Sequence, residues 1–580
     1  MKNENNTPDP KKIEKELGDF LNKKFGGNVK IISPPADPRE KGTDGRQQGK
    51  RNRKDLVNFD IKPSELIAYL DQYVVKQNNA KSVLSTKICT HFNRIKHTDK
   101  NPEDETRITG NIKSNILMLG PTGIGKTYII KLIANRIGVP FVKADATKFS
   151  ETGYVGGDVE DLVRDLVKEA DDDISLAECG IIYIDEIDKI ASSSEVMGSQ
   201  VSRTGVQRAL LKPMEETDVD LKVPHDPVSM MQELERYQKT GKRDKKTVNT
   251  ANILFIVSGA FSDLTEIIEE RMQSKSIGFG ASPFKADSQT GLLSRVKAED
   301  LVKYGFESEF IGRLPVRCVL DNLTETDLFD ILKMPNNPVI LGKRLDFASY
   351  GIDIVFTDEA LRIFASRAAS ENTGARGLVS VVENALLPFE EKLPSADVSV
   401  FTVNRDTIEN SGEELERILS GKEDEYYNEL YREARDAYEN YITDHIRENW
   451  KTLSLRHGLT LSDHRTKLVA KYFCRKVTET GEAVKKVKSF HERVKQVEVE
   501  IMNSCGLNVV FEEDAVDFLI EQFIQYNVSS EDILTQIYEK FYDGMNLVRE
   551  KTGKSRFFLN RNALVNNEQY LNELIKKEIN

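Results

Sequence analysis

Cysteine is sparse and scattered in this chain. Cys89, Cys179, Cys318, Cys474 and Cys505 are odd in number and form no CxxC pair, which argues against both a zinc knuckle and a disulfide framework. The seven histidines are dispersed and give no metal-ligand spacing. No apolar run reaches the length that crosses a bilayer. The opening MKNENNTPDPKK lacks the apolar core of a signal peptide. No membrane association is therefore expected, and a reducing cytoplasm is the expected compartment. Basic residues are outnumbered, 82 Lys and Arg against 94 Asp and Glu, a net charge of −12. That balance argues against nucleic acid as the main partner.

What is present is organised unevenly along 580 residues, long enough for several domains. Residues 1–57 are rich in proline, glycine and charge, have little to bury, and read as a flexible basic arm. From about Phe59 the pattern turns globular. The short apolar runs NILMLG (115–120), PFVKAD (140–145), GIIYID (180–185) and NILFIVSG (252–259) alternate with helical periodicity. That alternation predicts an α/β fold with a parallel sheet. The polar stretch from Thr217 to Asn252 reads as a surface insertion with a short helix around Met231–Tyr237. Beyond about residue 406 the chain is charged and mostly helical. Tyr427, Tyr431, Ala434, Tyr438 and Ile442 make one amphipathic stripe, read as core packing. GIDIVFTDEALRI, from Gly351, is echoed by GLNVVFEEDAVDF, from Gly506. Each reads as strand, acidic cap and helix.

The chemistry is concentrated in two segments. GPTGIGKT runs through Gly120, Pro121, Thr122, Gly123, Ile124, Gly125, Lys126 and Thr127, and fits G-x-x-x-x-G-K-[ST] between a strand and an amphipathic helix. Its glycines let backbone N–H groups wrap phosphate oxygens, and the helix N-terminus adds favourable positive potential. Lys126 then reaches the β- and γ-phosphates, and Thr127 offers a hydroxyl to Mg²⁺. In IIYIDEIDKIA the strand delivers Asp185 to the metal shell and Glu186 to the attacking water. The pair predicts hydrolysis of a nucleotide bound with Mg²⁺; the scattered cysteines and histidines give the expectation of no zinc.

The phosphate loop, GYVG, IIYIDEIDKIA, ILFIVSGAF, IGFGA, EFIGRLP and TGARGL occur in that order. Together they resemble the AAA+ ATPases of the Clp/Hsp100 group, most closely the ClpX unfoldases, with the HslU group next. The resemblance runs from about Asn58 to Ser395. It implies a large ATPase domain over 58–322, with a P-loop AAA+ parallel sheet, and a small α+β lid domain over 323–405. A helical extension (406–500) and a second module like the small domain (501–580) would follow.

The resemblance also implies roles. Tyr73 and Val74 match the segment packed on adenine. Ser258 matches a polar sensor facing the γ-phosphate, and Arg313 an arginine finger reaching a neighbouring subunit, which implies a hexameric ring. Arg376 matches the sensor arginine of the small domain. Tyr154 and Val155 of GYVG match a pore loop that grips protein substrates, flanked by Gly153 and Gly156. The helix beyond is anchored by Val159, Leu162, Val163, Leu166 and Val167. Ile277, Gly278 and Phe279 match the loop that docks on a ClpP-like peptidase. The expected function is an ATP-dependent unfoldase and translocase feeding such a peptidase; a remodeller of protein or nucleoprotein complexes acting without proteolysis is the alternative.

Three departures limit the comparison. The N-terminal four-cysteine zinc domain of the ClpX group has no counterpart, nor has its Arg-Lys-His pore element. The insertion offers instead Lys239, Lys242, Arg243, Lys245 and Lys246. In the echoed segment Glu531 stands where Arg376 stands in the first copy, so it would not sense nucleotide in the same way.

Overall fold

The computed structural model of the chain describes residues 60–100, 113–149, 158–191, 203–221, 247–275, 289–526 and 528–579. The basic arm, Tyr154 and Val155, the helix expected around Met231–Tyr237, the insertion's five basic residues, and Ile277, Gly278 and Phe279 lie outside them.

Two helices, α1 (Pro63–Leu70) and α2 (Asn78–Lys100), precede β1 (Ile116–Leu119) and α3 (Lys126–Ile137). Then come β2 (Phe141–Asp145), α4 (Asp161–Glu169), β3 (Ile181–Asp185) and α5 (Arg203–Met214). β4 (Asp218–Asp220) pairs antiparallel with β5 (Thr247–Asn249) at the base of the insertion. β6 (Leu254–Gly259) and β7 (Val316–Val319) complete a five-stranded sheet of order β2-β3-β6-β1-β7, every pair parallel. The four expected strands are all in it.

Strand alternation explains its burial on both faces. Ile116, Met118, Ile181 and Tyr183 enter one core with α1, α2 and α3. Leu117, Leu119, Ile182 and Ile184 enter the other with α4 and α5. Val159, Leu162, Val163, Leu166 and Val167 are all buried in that second core. β7 is the strand that reading by eye misses: Val316, Arg317, Cys318 and Val319 mix a charge into an edge strand, and only Cys318 is fully covered.

A second compact core follows. It contains α6 (Glu325–Lys333), α7 (Pro338–Ser349), β8 (Asp353–Phe356), α8 (Asp358–Ser370), α9 (Ala375–Lys392) and β9 (Val400–Val403), with β8 and β9 parallel. It takes in α10 (Arg405–Glu409) and α11 (Ser411–Ser420) through Ile408, Leu415 and Ile418, beyond the expected end at 405.

The third core is the extension: α12 (Asp424–Glu448), α13 (Trp450–His457), α14 (Asp463–Arg475) and α15 (Thr480–Cys505). β10 (Asn508–Phe511), α16 (Glu513–Tyr526), α17 (Ser530–Thr552), β11 (Arg556–Leu559), α18 (Arg561–Val565) and α19 (Asn567–Ile579) follow. From α7 to α11 and from α15 to α19 the order is the same: helix, strand, two helices, parallel strand, five-residue helix, helix. The expected tyrosine stripe lies on α12. Ile442 is fully buried, Tyr438 packs on the extension core, and the Tyr431 hydroxyl donates to Asp353 at the start of β8.

Candidate functional site

β1 ends at Leu119 and the chain turns through residues that only glycine adopts without strain. Gly120, Gly123 and Gly125 have φ of 152°, 82° and 94°. A Cβ on Gly125 would meet nothing within 4 Å, and Gly125 lines an open cavity. Lys126 begins α3 and is almost wholly buried. Its Nζ donates to the carbonyls of Gly120 and Pro121, both at 2.7 Å. Burial pushes the ammonium below its usual range, opposed by Asp185 and Asp188. A buried cation of this kind fits an anionic ligand.

Because β6 lies between β1 and β3, Ser258 stands between the phosphate loop and Asp185. Its side chain is fully buried, and Ser258 Oγ donates to Asp185 Oδ1 at 2.6 Å. The Tyr183 hydroxyl is 2.6 Å from the same Ser258 Oγ. Burial raises the Tyr183 phenol, so it stays protonated and serves as the donor. Thr127 Oγ1 is 3.3 Å from Asp185 Oδ2 and 3.2 Å from the Tyr183 hydroxyl. Burial alone would raise the Asp185 carboxyl; hydrogen bonds from Ser258 and Lys143, with the Glu186 N–H, hold it below its usual range. Thr127 and Asp185 thus present two hard oxygen donors side by side, which suits Mg²⁺ held jointly with phosphate oxygens.

Glu186 follows in a left-handed conformation, φ 57° and ψ 34°, uncommon for a residue with a side chain. Its backbone N–H donates to Asp185 Oδ1, while its side chain is exposed at the cavity. Strain of this sort gathers where a side chain must be aimed.

The cavity these groups line has a volume of about 520 Å³, within the range of small-molecule sites. Tyr73 and Val74 form one wall. Met334, Asn337 and Val339 of the α6–α7 junction and the start of α7, with Ala375, Arg376 and Leu378 of α9, line the cavity too. The structure therefore brings the phosphate loop, Asp185, Glu186, Tyr73, Val74 and Arg376 to one cleft between two cores. Arg313 is not among its lining; it is about half exposed and pairs with Glu215. Ser258 is not among the lining either; it reaches the cleft through Asp185 and, by way of the Tyr183 hydroxyl, through Thr127.

Tyr183, Lys143 and Asp188 are members that sequence reading passed over. Tyr183 had a signal: it lies two residues before Asp185 and so on the same strand face. Lys143 had none, because it reaches the site through the β2–β3 register that sets it opposite Tyr183. Asp188 is buried and its carboxylate lies against Gly259, where a Cβ would come within 2.5 Å of Oδ1.

Comparison with known proteins agrees with this geometry. Residues 111–317 match the family described as AAA domain (Cdc48 subfamily). The chain is 43% identical over 337 residues to the ATP-dependent Clp protease ATP-binding subunit ClpX of Treponema denticola, a match covering 57% of this chain and 77% of that one. It is 39% identical over 363 residues to the proteins of the same description from Borrelia duttonii and Borrelia recurrentis, covering 62% of this chain and 81% of each.

Proposed function

The chain belongs to the ClpX family of AAA+ ATPases, and from that premise we propose that it is an ATP-dependent protein unfoldase that threads substrates through the axial pore of a hexameric ring and passes them to a ClpP-like peptidase. The observation that carries the reading is the cleft itself. A phosphate loop, an acidic pair and the α9 arginine converge on one cavity with walls from two separate cores. Chemistry there is placed to change how the two cores sit, which is how hydrolysis becomes movement.

In this reading the loop amides and Lys126 bind the phosphates, and Tyr73 and Val74 pack on the base. Thr127 and Asp185 would hold Mg²⁺, which would supply charge neutralisation for the phosphates. Glu186 takes the proton of the attacking water. Arg376 reports the state of the site to α9. Arg313, about half exposed and outside the lining of its own cavity, is the group that completes a neighbour's site. Tyr154 and Val155 are the gripping element: an aromatic and a branched aliphatic contact many side chains without demanding sequence. Ile277, Gly278 and Phe279 are the peptidase contact. No helix among the described residues is long and apolar enough to cross a membrane.

The test uses two variants of the full chain. Glu186→Gln is expected to bind ATP, hydrolyse it at least about 100-fold more slowly, and retain substrates that mass spectrometry identifies. Tyr154→Ala is expected to keep ATPase activity and lose unfolding of a tagged stable protein. Unfolding by Tyr154→Ala at the rate of the unaltered protein would overturn the threading mechanism.

A further inference from the structure

Lys143 is a cation in a place that a metal would contest. It sits in the middle of β2, the edge strand of the sheet, opposite Tyr183 of β3. Its Nζ is 3.2 Å from Asp185 Oδ2 and 3.5 Å from Thr127 Oγ1. Those are the two oxygens that face each other at 3.3 Å and fit Mg²⁺. The far oxygen of the same carboxylate is fixed by Ser258. Asp185 therefore has one oxygen locked to the sheet and the other shared with Lys143. The lysine side chain is 44% exposed, so it can leave without stranding a buried charge.

We propose that Lys143 is a tethered cation of the nucleotide site, a positioning residue that holds Asp185 and Thr127 together in place of the metal and competes with Mg²⁺ for them. The inference rests on the ATP-binding reading of the cleft and deepens it. The physical argument is one of charge. A carboxylate beside incoming phosphates repels them, and Mg²⁺ ordinarily offsets this. An ammonium at the same two oxygens offsets part of it before any metal arrives, so nucleotide without metal binds better than it otherwise would. When the metal does bind, it must displace that ammonium, and its own affinity is reduced. Both effects shrink the coupling between Mg²⁺ and nucleotide, which is a reciprocal quantity.

The test measures binding, not turnover. The dissociation constant of a fluorescent ATP analogue is determined with EDTA and with excess Mg²⁺ for the full-length protein, Lys143→Met and Lys143→Arg. In Lys143→Met the ratio of the two constants is expected to rise about fivefold, with weaker binding in EDTA. The free Mg²⁺ at half-maximal tightening is expected to fall. Lys143→Arg, which keeps the charge, is expected to stay near the unaltered protein. A ratio unchanged in Lys143→Met, or altered equally in both variants, would overturn the inference and leave the ATP-binding reading intact. Failure of the unaltered protein to bind the analogue even with Mg²⁺ would overturn both.

Discussion

The backbone N–H of Ala375 donates to the carbonyl of Gly123 at 2.9 Å, tying the first turn of α9 to the phosphate loop. The two backbones touch. A Cβ on Gly123 would lie 2.0 Å from the Thr373 carbonyl oxygen, and one on Gly374 would lie 2.9 Å from that of Gly123. Any shift of the loop on phosphate binding or release therefore meets α9 through main chain.

Gly123→Ala tests that contact. The variant faces both a left-handed φ of 82° and a backbone clash, so the loop and α9 must part. Left-handed backbone costs a side-chain-bearing residue about 1–2 kcal/mol before the clash is counted. Affinity for a fluorescent ATP analogue is expected to fall by at least about tenfold, with ATPase activity falling alongside. Gly412→Ala, where a Cβ meets open space, is the control and is expected to change neither.

The Tyr183–Ser258–Asp185 chain makes a different demand. Ser258→Ala removes the hydroxyl that fixes Asp185 Oδ1 and leaves the buried Tyr183 hydroxyl without that acceptor. Groups that orient a metal ligand are typically worth about 10–100-fold in metal affinity or activity. The Mg²⁺ concentration for half-maximal ATPase is expected to rise within that range. Tyr183→Phe, which spares the bond from Ser258 to Asp185, is expected to have the smaller effect. An equal loss in both would mean that the phenol, not the serine, orients the carboxylate.

The parts of this site that can be read in the sequence are those whose chemistry is local. Gly120 to Thr127 form a phosphate cradle because eight consecutive residues have the right backbone freedom and the right termini. Asp185 and Glu186 follow an apolar strand that must end at the ligand edge of a parallel sheet. Lys143 and the Ala375–Gly123 bond are different in kind. They depend on which strand lies beside which and on where a second core docks, and no window of sequence encodes either. The echo of Gly351 at Gly506 shows both sides. The strand and its following helix were legible from identical residues, but the full run of five matching helices depended on packing. There α17 begins at Ser530 and carries Glu531 in its first turn, where α9 carries Arg376.

His91 predicts a pH dependence of stability. It lies buried on α2, its Nε2 2.9 Å from the Asn252 carbonyl, so the neutral ring donates there. Burial pushes the imidazole down to about 4, and Lys113 and Arg94 add to this against the Asn252 carbonyl. The unfolded chain, with its histidine near 6.5, then binds more protons than the folded one between these values. Stability rises with pH through that window and is lost as pH falls from about 6.5 towards 4. At the acid end the loss is about 3 kcal/mol. Denaturant unfolding at pH 7 and pH 5 checks this. His91→Gln, which keeps a donor for Asn252 and cannot charge, is expected to show a smaller drop between the two.

Asn336 predicts how the extension is held. Its side chain is buried in the α6–α7 junction, and Thr480 at the start of α15 is buried against it. Asn336 Nδ2 donates to Thr480 Oγ1 at 3.0 Å and lies 3.4 Å from the Gln72 carbonyl. In return Asn336 Oδ1 accepts from the Thr480 N–H at 2.9 Å. One amide thus joins the extension to the junction and to the residue before Tyr73, whose hydroxyl donates to Glu479 at 3.0 Å. Asn336→Ala leaves the buried Thr480 N–H without its partner, a loss of about 1–3 kcal/mol for that group alone. Hydrogen exchange at the Thr480 amide is expected to speed up at least about fivefold, with faster proteolysis between α12 and α15. The neighbouring Met334, Asn337 and Pro338 line the nucleotide cavity, so loosening this joint is also expected to weaken ATP binding a few-fold. Unchanged exchange at Thr480 would show that the bridge from Arg344 to the Cys474 carbonyl, with its guanidinium over Tyr438 and Phe473, holds the extension without it.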